Sequence, residues 1–217
     1  MNKKYISEFI GSFFLVATVI GSGIMGANMA SGNNAVALLG NTIASGAILF
    51  VLIKMFGPIS GAHFNPAVSM EFFLRKEIDF KNLLTYIAYQ MIGGILAVIT
   101  IHYIFEIDLF QISTNIRGEI PLLISEIIAT TGLILTILFV RKHDESSVAT
   151  AVALFITAGY WFTSSTSFAN PAVTIARMFT NTFTGISPLS MPYFILGQII
   201  GAFLGYKIFN VFESQSK

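Results

Sequence analysis

The sequence predicts an all-α membrane protein: six transmembrane helices plus two re-entrant half-helices, arranged as an inverted repeat. Three observations carry that prediction. Hydrophobic residues fill 54% of the 217 positions and charged ones only 11%, with mean hydropathy +0.76; soluble domains carry about 25% charged residues. Several apolar runs reach the roughly 20 residues that a bilayer crossing needs. A three-residue phrase, Asn-Pro-Ala, occurs at Asn65-Pro66-Ala67 and again at Asn170-Pro171-Ala172, in two halves that echo each other.

The first apolar run, about 5–27, follows Lys3 and Lys4 and imitates a secretion signal. Glu8 near its start argues instead for a retained first helix. Further long runs lie at about 35–56, 82–105, 119–140, 148–164 and 189–212. Segments at about 65–75 and 170–181 are too short to cross. Each begins at Asn-Pro, and such re-entrant pieces persist only when buried in protein or lining a watery cavity.

Cation asymmetry orients the chain. With the N-terminus cytoplasmic, the inside loops hold Lys3, Lys4, Lys54, Arg75, Lys76, Lys81, Arg141, Lys142, Lys207 and Lys217, and the outside keeps Arg117 and Arg177. The expectation is a multi-pass protein of the cytoplasmic (inner) membrane with both termini cytoplasmic.

The repeat is legible by eye. "SEFIGSFFLVATVIG" at 7–21 echoes "SEIIATTGLILTILF" at 125–139, and "YQMIGGIL" at 89–96 echoes "GQIIGAFL" at 197–204. Glu8 and Glu126 are 118 residues apart, Asn65 and Asn170 105, Gln90 and Gln198 108. Each half holds three spans, so the second copy must enter the membrane upside down. One channel domain over 1–217 follows, with repeats at about 1–106 and 119–217. Inverted repeats place their working site near the bilayer midplane, on broken helices.

Asparagine is a favoured helix cap and proline a favoured first helical residue, so one Asn-Pro-Ala is an ordinary helix start. Two copies in inverted halves bring both starts together at the membrane centre. Each half-helix N-terminus then carries roughly +0.5 of an elementary charge, which repels cations. Each asparagine oxygen can cap its helix while the amide NH2 faces the lumen. A water accepting from both amides cannot accept from its neighbours, and a proton wire breaks there. The residues describe a pore for neutral solutes.

At these residues the chain resembles the aquaporin, or major intrinsic protein, family. "SGAHFNPAV" at 60–68 is similar to the family's first signature and "FANPAV" at 168–173 carries the second; the paired Glu8/Glu126 and Gln90/Gln198 match as well. The resemblance covers nearly the whole chain. It implies an aquaporin-like fold, passive permeation of water and small neutral solutes, no cofactor, and a homotetramer in the lipid bilayer with one pore per subunit.

The chain departs from the family at the outer constriction. Most members place arginine directly after the second Asn-Pro-Ala; here that residue is Val173. The family's spacing gives Ser45, Ala158 and Ser167 as the remaining filter residues, with bulky Tyr160 and Trp161 close by. Glycerol-conducting members commonly continue Arg-Asp, whereas this chain continues Val173-Thr174, which weakens a glycerol reading. "ANPAVTIAR" is similar to a bacterial branch associated with arsenic resistance, whose proposed cargo is neutral arsenite. Arg177 lies one helical turn beyond Val173, on the same face. It can reach back to the outer vestibule or snorkel to headgroups and subunit contacts.

Other polar residues are read the same way. Glu8 and Glu126 could relay protons or, as in the family, accept hydrogen bonds from the loops before the half-helices. His63 could switch with pH or line the pore and position its loop. Gly93-Gly94 and the Gly201–Gly205 pair suit close helix contacts. An ion-coupled secondary transporter shares inverted repeats and broken helices, but its coupling groups would have to be Glu8 and Glu126. A non-conducting structural protein would have no use for duplicated luminal asparagines. No cysteine, metal-ligand spacing or Ser-His-Asp set suggests an enzyme or a metal site, and a net charge of +1 gives no case for nucleic acid.

Overall fold

The structure, a computed structural model, describes residues 2–214. Among them the chain forms eight α-helices and no strand: α1 Lys3–Met29, α2 Asn34–Ser60, α3 Pro66–Leu74, α4 Phe80–Ile104, α5 Ile120–His143, α6 Val148–Phe162, α7 Pro171–Arg177 and α8 Met191–Ser214. Each half thus runs through three longer helices with a half-helix as its third element, α6 being the shortest of the longer ones. Lys217, counted with the inside cations, lies outside the described residues.

Five of these helices, α1, α2, α4, α5 and α8, are long and apolar enough to cross a membrane. The expected span at 148–164 is shorter than the rest. At 1.5 Å per residue its 15 residues reach roughly 22 Å. Chemistry at both ends explains this. Asp144 accepts from the Ser146 backbone N–H at 3.0 Å and starts a separate 3-10 turn, Glu145–Ser147, ahead of α6. At the other end the Thr163 hydroxyl donates to the Gly159 carbonyl at 2.7 Å. The run of five hydroxyl residues then leaves the helix through a turn, with Thr166 N–H donating to the Thr163 carbonyl at 3.1 Å. The second half-helix likewise ends at Arg177, short of the expected 181, because the chain beyond it pairs with the α4–α5 connection: the Ser113 N–H donates to the Met178 carbonyl at 2.8 Å.

The surface is inverted relative to a water-soluble protein. Phe14, Ile92, Ile128, Leu154 and Phe203 are exposed, whereas Glu8, Gln90, Glu126 and Gln198 are fully buried. Close helix pairs use the small residues singled out in the sequence. A Cβ on Gly201 would stand 2.7 Å from the Ile127 carbonyl oxygen, and one on Gly205 2.8 Å from the Ile134 side chain. These contacts draw α5 and α8 together, as α1 and α4 pair in the first half.

Candidate functional site

Each half-helix is reached by a loop that ordinary residues adopt only under constraint. Ala62 and Phe64 precede α3 with φ of 52° and 47°; Ser167 and Ala169 precede α7 with φ of 48° and 46°. Left-handed backbone at non-glycine residues costs on the order of 1–3 kcal/mol each and persists where surroundings over-determine it.

The two buried carboxylates supply that constraint. Glu8 accepts from the Ser60 hydroxyl at 2.7 Å, the His63 and Phe64 backbone N–H groups at 3.1 and 2.7 Å, and the Gln90 amide at 2.8 Å. Glu126 accepts from the Phe168 and Ala169 N–H groups at 2.9 and 2.8 Å and from Gln198 at 2.6 Å. Each glutamine also reaches the half-helix itself, Gln90 through Ser69 and Gln198 through Thr174. Each carboxylate therefore holds two loop N–H groups and a glutamine from a neighbouring long helix.

The asparagines then join the loops to each other. Asn65 Oδ1 accepts from the Ala67 N–H at 2.9 Å, while its amide donates to the Ala169 carbonyl at 2.6 Å. Asn170 Oδ1 accepts from Ala172 and Val173 at 2.9 and 3.2 Å, while its amide donates to the Phe64 carbonyl at 2.8 Å. The sequence expectation had both amide hydrogens facing the lumen. One of each pair instead ties the opposite loop, leaving one N–H per asparagine beside the cavity. Pro66, Ala67, Pro171 and Ala172 occupy the first turns of their helices.

Asn65 and Asn170 both line a central cavity of about 90 Å³. At the roughly 30 Å³ that a water takes up in the liquid, this holds on the order of three molecules. Leu15, Val19, Leu49, Leu133, Val152 and Ile156 give it an apolar wall, while the two loops give it a polar one. Beyond Ile53, Phe72 and Val148 it continues into a chamber of about 630 Å³ beside Lys54, Arg141 and Glu145. His63 lines the smaller cavity, its Nδ1 3.1 Å from the Ser69 hydroxyl and its ring 4.4 Å from that of Phe72.

At the other end Ser45, Ser167, Val173 and Arg177 stand together in the wall. Ala158 does not: it is exposed on the outer face of α6. Ile156 and Tyr160 face inward, and a residue two places from either points about 200° away. The wall position assigned to Ala158 therefore belongs to Tyr160, whose hydroxyl lies 3.0 Å from Ser45 Oγ. Among the described residues Ser167 Oγ is buried without a hydrogen-bond partner.

Arg177 is buried, at 3% exposure, and reaches neither headgroups nor an outer surface. Its Nε donates to the Thr184 carbonyl, and its guanidinium carbon lies 3.5 Å from the centre of the Phe168 ring. Among the described residues it enters no ion pair. The sequence reading noted Tyr160 only as a bulky neighbour of the constriction, gave Arg117 only a side of the membrane, and assigned Phe168 no role of its own. The Ile156/Tyr160 spacing could have shown the first; the other two depend on contacts between distant loops.

A multi-pass helical membrane protein whose two half-helices are tied nose to nose beside a narrow polar-and-apolar cavity is built as a pore. The family model "Major intrinsic protein" matches residues 1–147 and 141–217. The chain is 44% identical over 202 residues to an "Aquaglyceroporin AqpS" of Rhizobium meliloti (strain 1021), covering 93% of this chain and 86% of that one. It is 30% identical over 227 residues to a "Probable aquaporin NIP-type" of Nicotiana alata, covering 99% and 79%. In fold it is similar to the solved aquaglyceroporin of Plasmodium falciparum, with a TM-score of 0.74 at 22% identity over 95% and 94% of the two chains. The chain belongs to the major intrinsic protein family.

Proposed function

We infer that the protein is a passive channel for water and small uncharged solutes. The observation that carries this is the reciprocal tie between Asn65 and Asn170 beside the central cavity. It fixes one free amide N–H from each half at the same level. A solute oxygen that accepts both hydrogen bonds has no lone pair left for a neighbouring water, so solutes pass while protons do not. Cations lose hydration in a cavity whose nearest partners are N–H donors and apolar side chains, a transfer that costs several kcal/mol.

The chain works as one channel domain whose halves, about 1–106 and 119–217, are inverted repeats. It sits in the lipid bilayer of a cytoplasmic membrane with both termini inside, placing Lys54 and Arg141 at the cytoplasmic chamber and Arg177 at the outer mouth. It assembles as a homotetramer with one pore in each subunit. The outer filter consists of Ser45, Tyr160, Ser167, Val173 and Arg177. Because Val173 is small and Arg177 stands one turn further out, the opening admits hydroxylated solutes wider than water. Glycerol enters the panel through the name of the Rhizobium relative. Neutral arsenite, a trihydroxy solute, enters through the "ANPAVTIAR" phrase. The engagement of Glu8 and Glu126 by loop N–H groups and glutamine amides speaks against their use as coupling groups of a transporter.

Stopped-flow light scattering on proteoliposomes tests this with water, glycerol, urea and arsenite in parallel. Val173→Arg is expected to cut arsenite and glycerol flux more than water flux. An unchanged set of permeability ratios would refute this filter.

A further inference from the structure

Arg117, in the connection between α4 and α5, has no task in the channel so far described. Its backbone is already fixed: its N–H donates to Ser190 Oγ at 3.0 Å. Just before it in the chain, Thr114 N–H donates to Asn181 Oδ1 at 3.0 Å and the Asn115 carbonyl accepts from Ser187 N–H at 2.7 Å. None of these bonds requires an arginine. Yet the side chain is half-buried and turned inward, its Nε donating to the Gly185 carbonyl at 2.9 Å. Its guanidinium carbon lies 5.2 Å from the centre of the Phe168 ring, the ring that Arg177 covers at 3.5 Å. Among the described residues neither arginine has a carboxylate partner. Burial pushes the Arg117 guanidinium below its ordinary value, so the inward placement runs against solvation.

We propose that Arg117 is a positioning residue for solute selectivity, acting through Phe168 on the cation of Arg177. A planar guanidinium lies flat on an aromatic face as an ammonium does not. Phe168 is held by its own N–H to Glu126 and packs on Phe194 at 4.8 Å between ring centres. With Arg117 beside it, the ring is fixed as the platform for Arg177, and the like charge of Arg117 disfavours any swing of Arg177 toward the connection. The free edge of Arg177 is thereby directed to the cavity beside Ser45, Tyr160 and Ser167. The proposal rests on Arg177 acting as the filter cation, as set out under the proposed function.

The test is the ratio of glycerol to water permeability in proteoliposomes, normalised to inserted protein, for Arg177→Met, Arg117→Met, Arg117→Lys, Phe168→Leu and the Arg117→Met/Phe168→Leu double variant. Arg117→Met and Phe168→Leu are each expected to shift the ratio about fivefold in the same direction as Arg177→Met. The double variant is expected to shift it no further, the signature of residues acting through one contact. Arg117→Lys, which keeps charge but not the flat face, is expected to fall between wild type and Arg117→Met. If Arg177→Met shifts the ratio while Arg117→Met leaves it at the wild-type value, or if the double variant is additive, this proposal is overturned and the filter reading stands. If Arg177→Met itself leaves the ratio unchanged, the filter reading fails and the proposal with it. Should Arg117→Met not insert, Phe168→Leu decides, and a wild-type ratio in that variant overturns the proposal.

Discussion

Replacing Glu126 by glutamine removes a charge and almost no volume, and the hydrogen bonds around it set the cost. One carboxylate oxygen accepts from Phe168 N–H and the other from both Ala169 N–H and Gln198. A glutamine offers one acceptor oxygen and an NH2, so one loop N–H must face a donor. Flipping Gln198 does not relieve this, because its NH2 also donates to Thr174 Oγ1 at 2.8 Å and that hydroxyl already donates to the Asn170 carbonyl. One buried donor left unpaired costs about 1–3 kcal/mol, and the surviving bonds lose charge assistance worth about 1 kcal/mol each. The sum is on the order of 3–5 kcal/mol, concentrated on the left-handed loop at Ser167 and Ala169. Thermal unfolding in detergent, with stopped-flow permeability of the fraction that inserts, reads both consequences. A markedly lower transition temperature with reduced but gradient-independent permeation is the expected outcome. Unchanged stability, together with loss of a proton-driven uptake that the wild type possesses, would refute the structural role and favour a coupled transporter.

Three further outcomes follow from the same contacts. Asn65→Asp exchanges the amide that donates to Ala169 for an acceptor and sets a carboxylate at the junction; cation leak, followed with a membrane-potential dye, is expected to rise while water flux falls. Gly159→Ala puts a methyl 2.6 Å from Ser167 Oγ, so it is expected to slow glycerol more than water, and wild-type ratios would show that the Ser167 loop gives way freely. Glu77, between α3 and α4, is drawn toward a higher value by burial but held below the ordinary carboxylate range by hydrogen bonds from Arg75 and Arg141. Its contribution is therefore present above the ordinary value of about 4.3 and lost as pH falls through the lower folded value. The difference in unfolding temperature between wild type and Glu77→Gln is expected at pH 7 and to vanish in strong acid, and a difference that grows on acidification would contradict the assigned sign.

The long elements and both half-helix starts could be read from the chain because each rests on local chemistry. Apolar runs of bilayer length become α1, α2, α4, α5 and α8, and Asn-Pro marks a cap and first turn wherever it opens a helix. The constriction was less legible. Counting back from Asn170 selected Ala158, but a count cannot say where α6 stops and the hydroxyl loop begins, and the inward face belongs to Ile156 and Tyr160. Arg177 could be placed on the Val173 face by helical spacing. Its burial was not readable, since the acceptor is the Thr184 carbonyl in a loop shaped by the distant α4–α5 connection. Arg117 was assigned only a side of the membrane, and its contact with Phe168 joins residues 51 positions apart.

The central claim is that solutes pass the Asn65–Asn170 junction while charge does not. Its most direct measurement follows water flux by light scattering and proton flux by an entrapped pH dye, in the same proteoliposomes over a range of protein-to-lipid ratios. The expected result is water permeability that rises in proportion to inserted protein while proton permeability stays at that of empty liposomes. Proton flux rising in step with protein, or water flux that never exceeds the empty-liposome value with insertion verified, would contradict it.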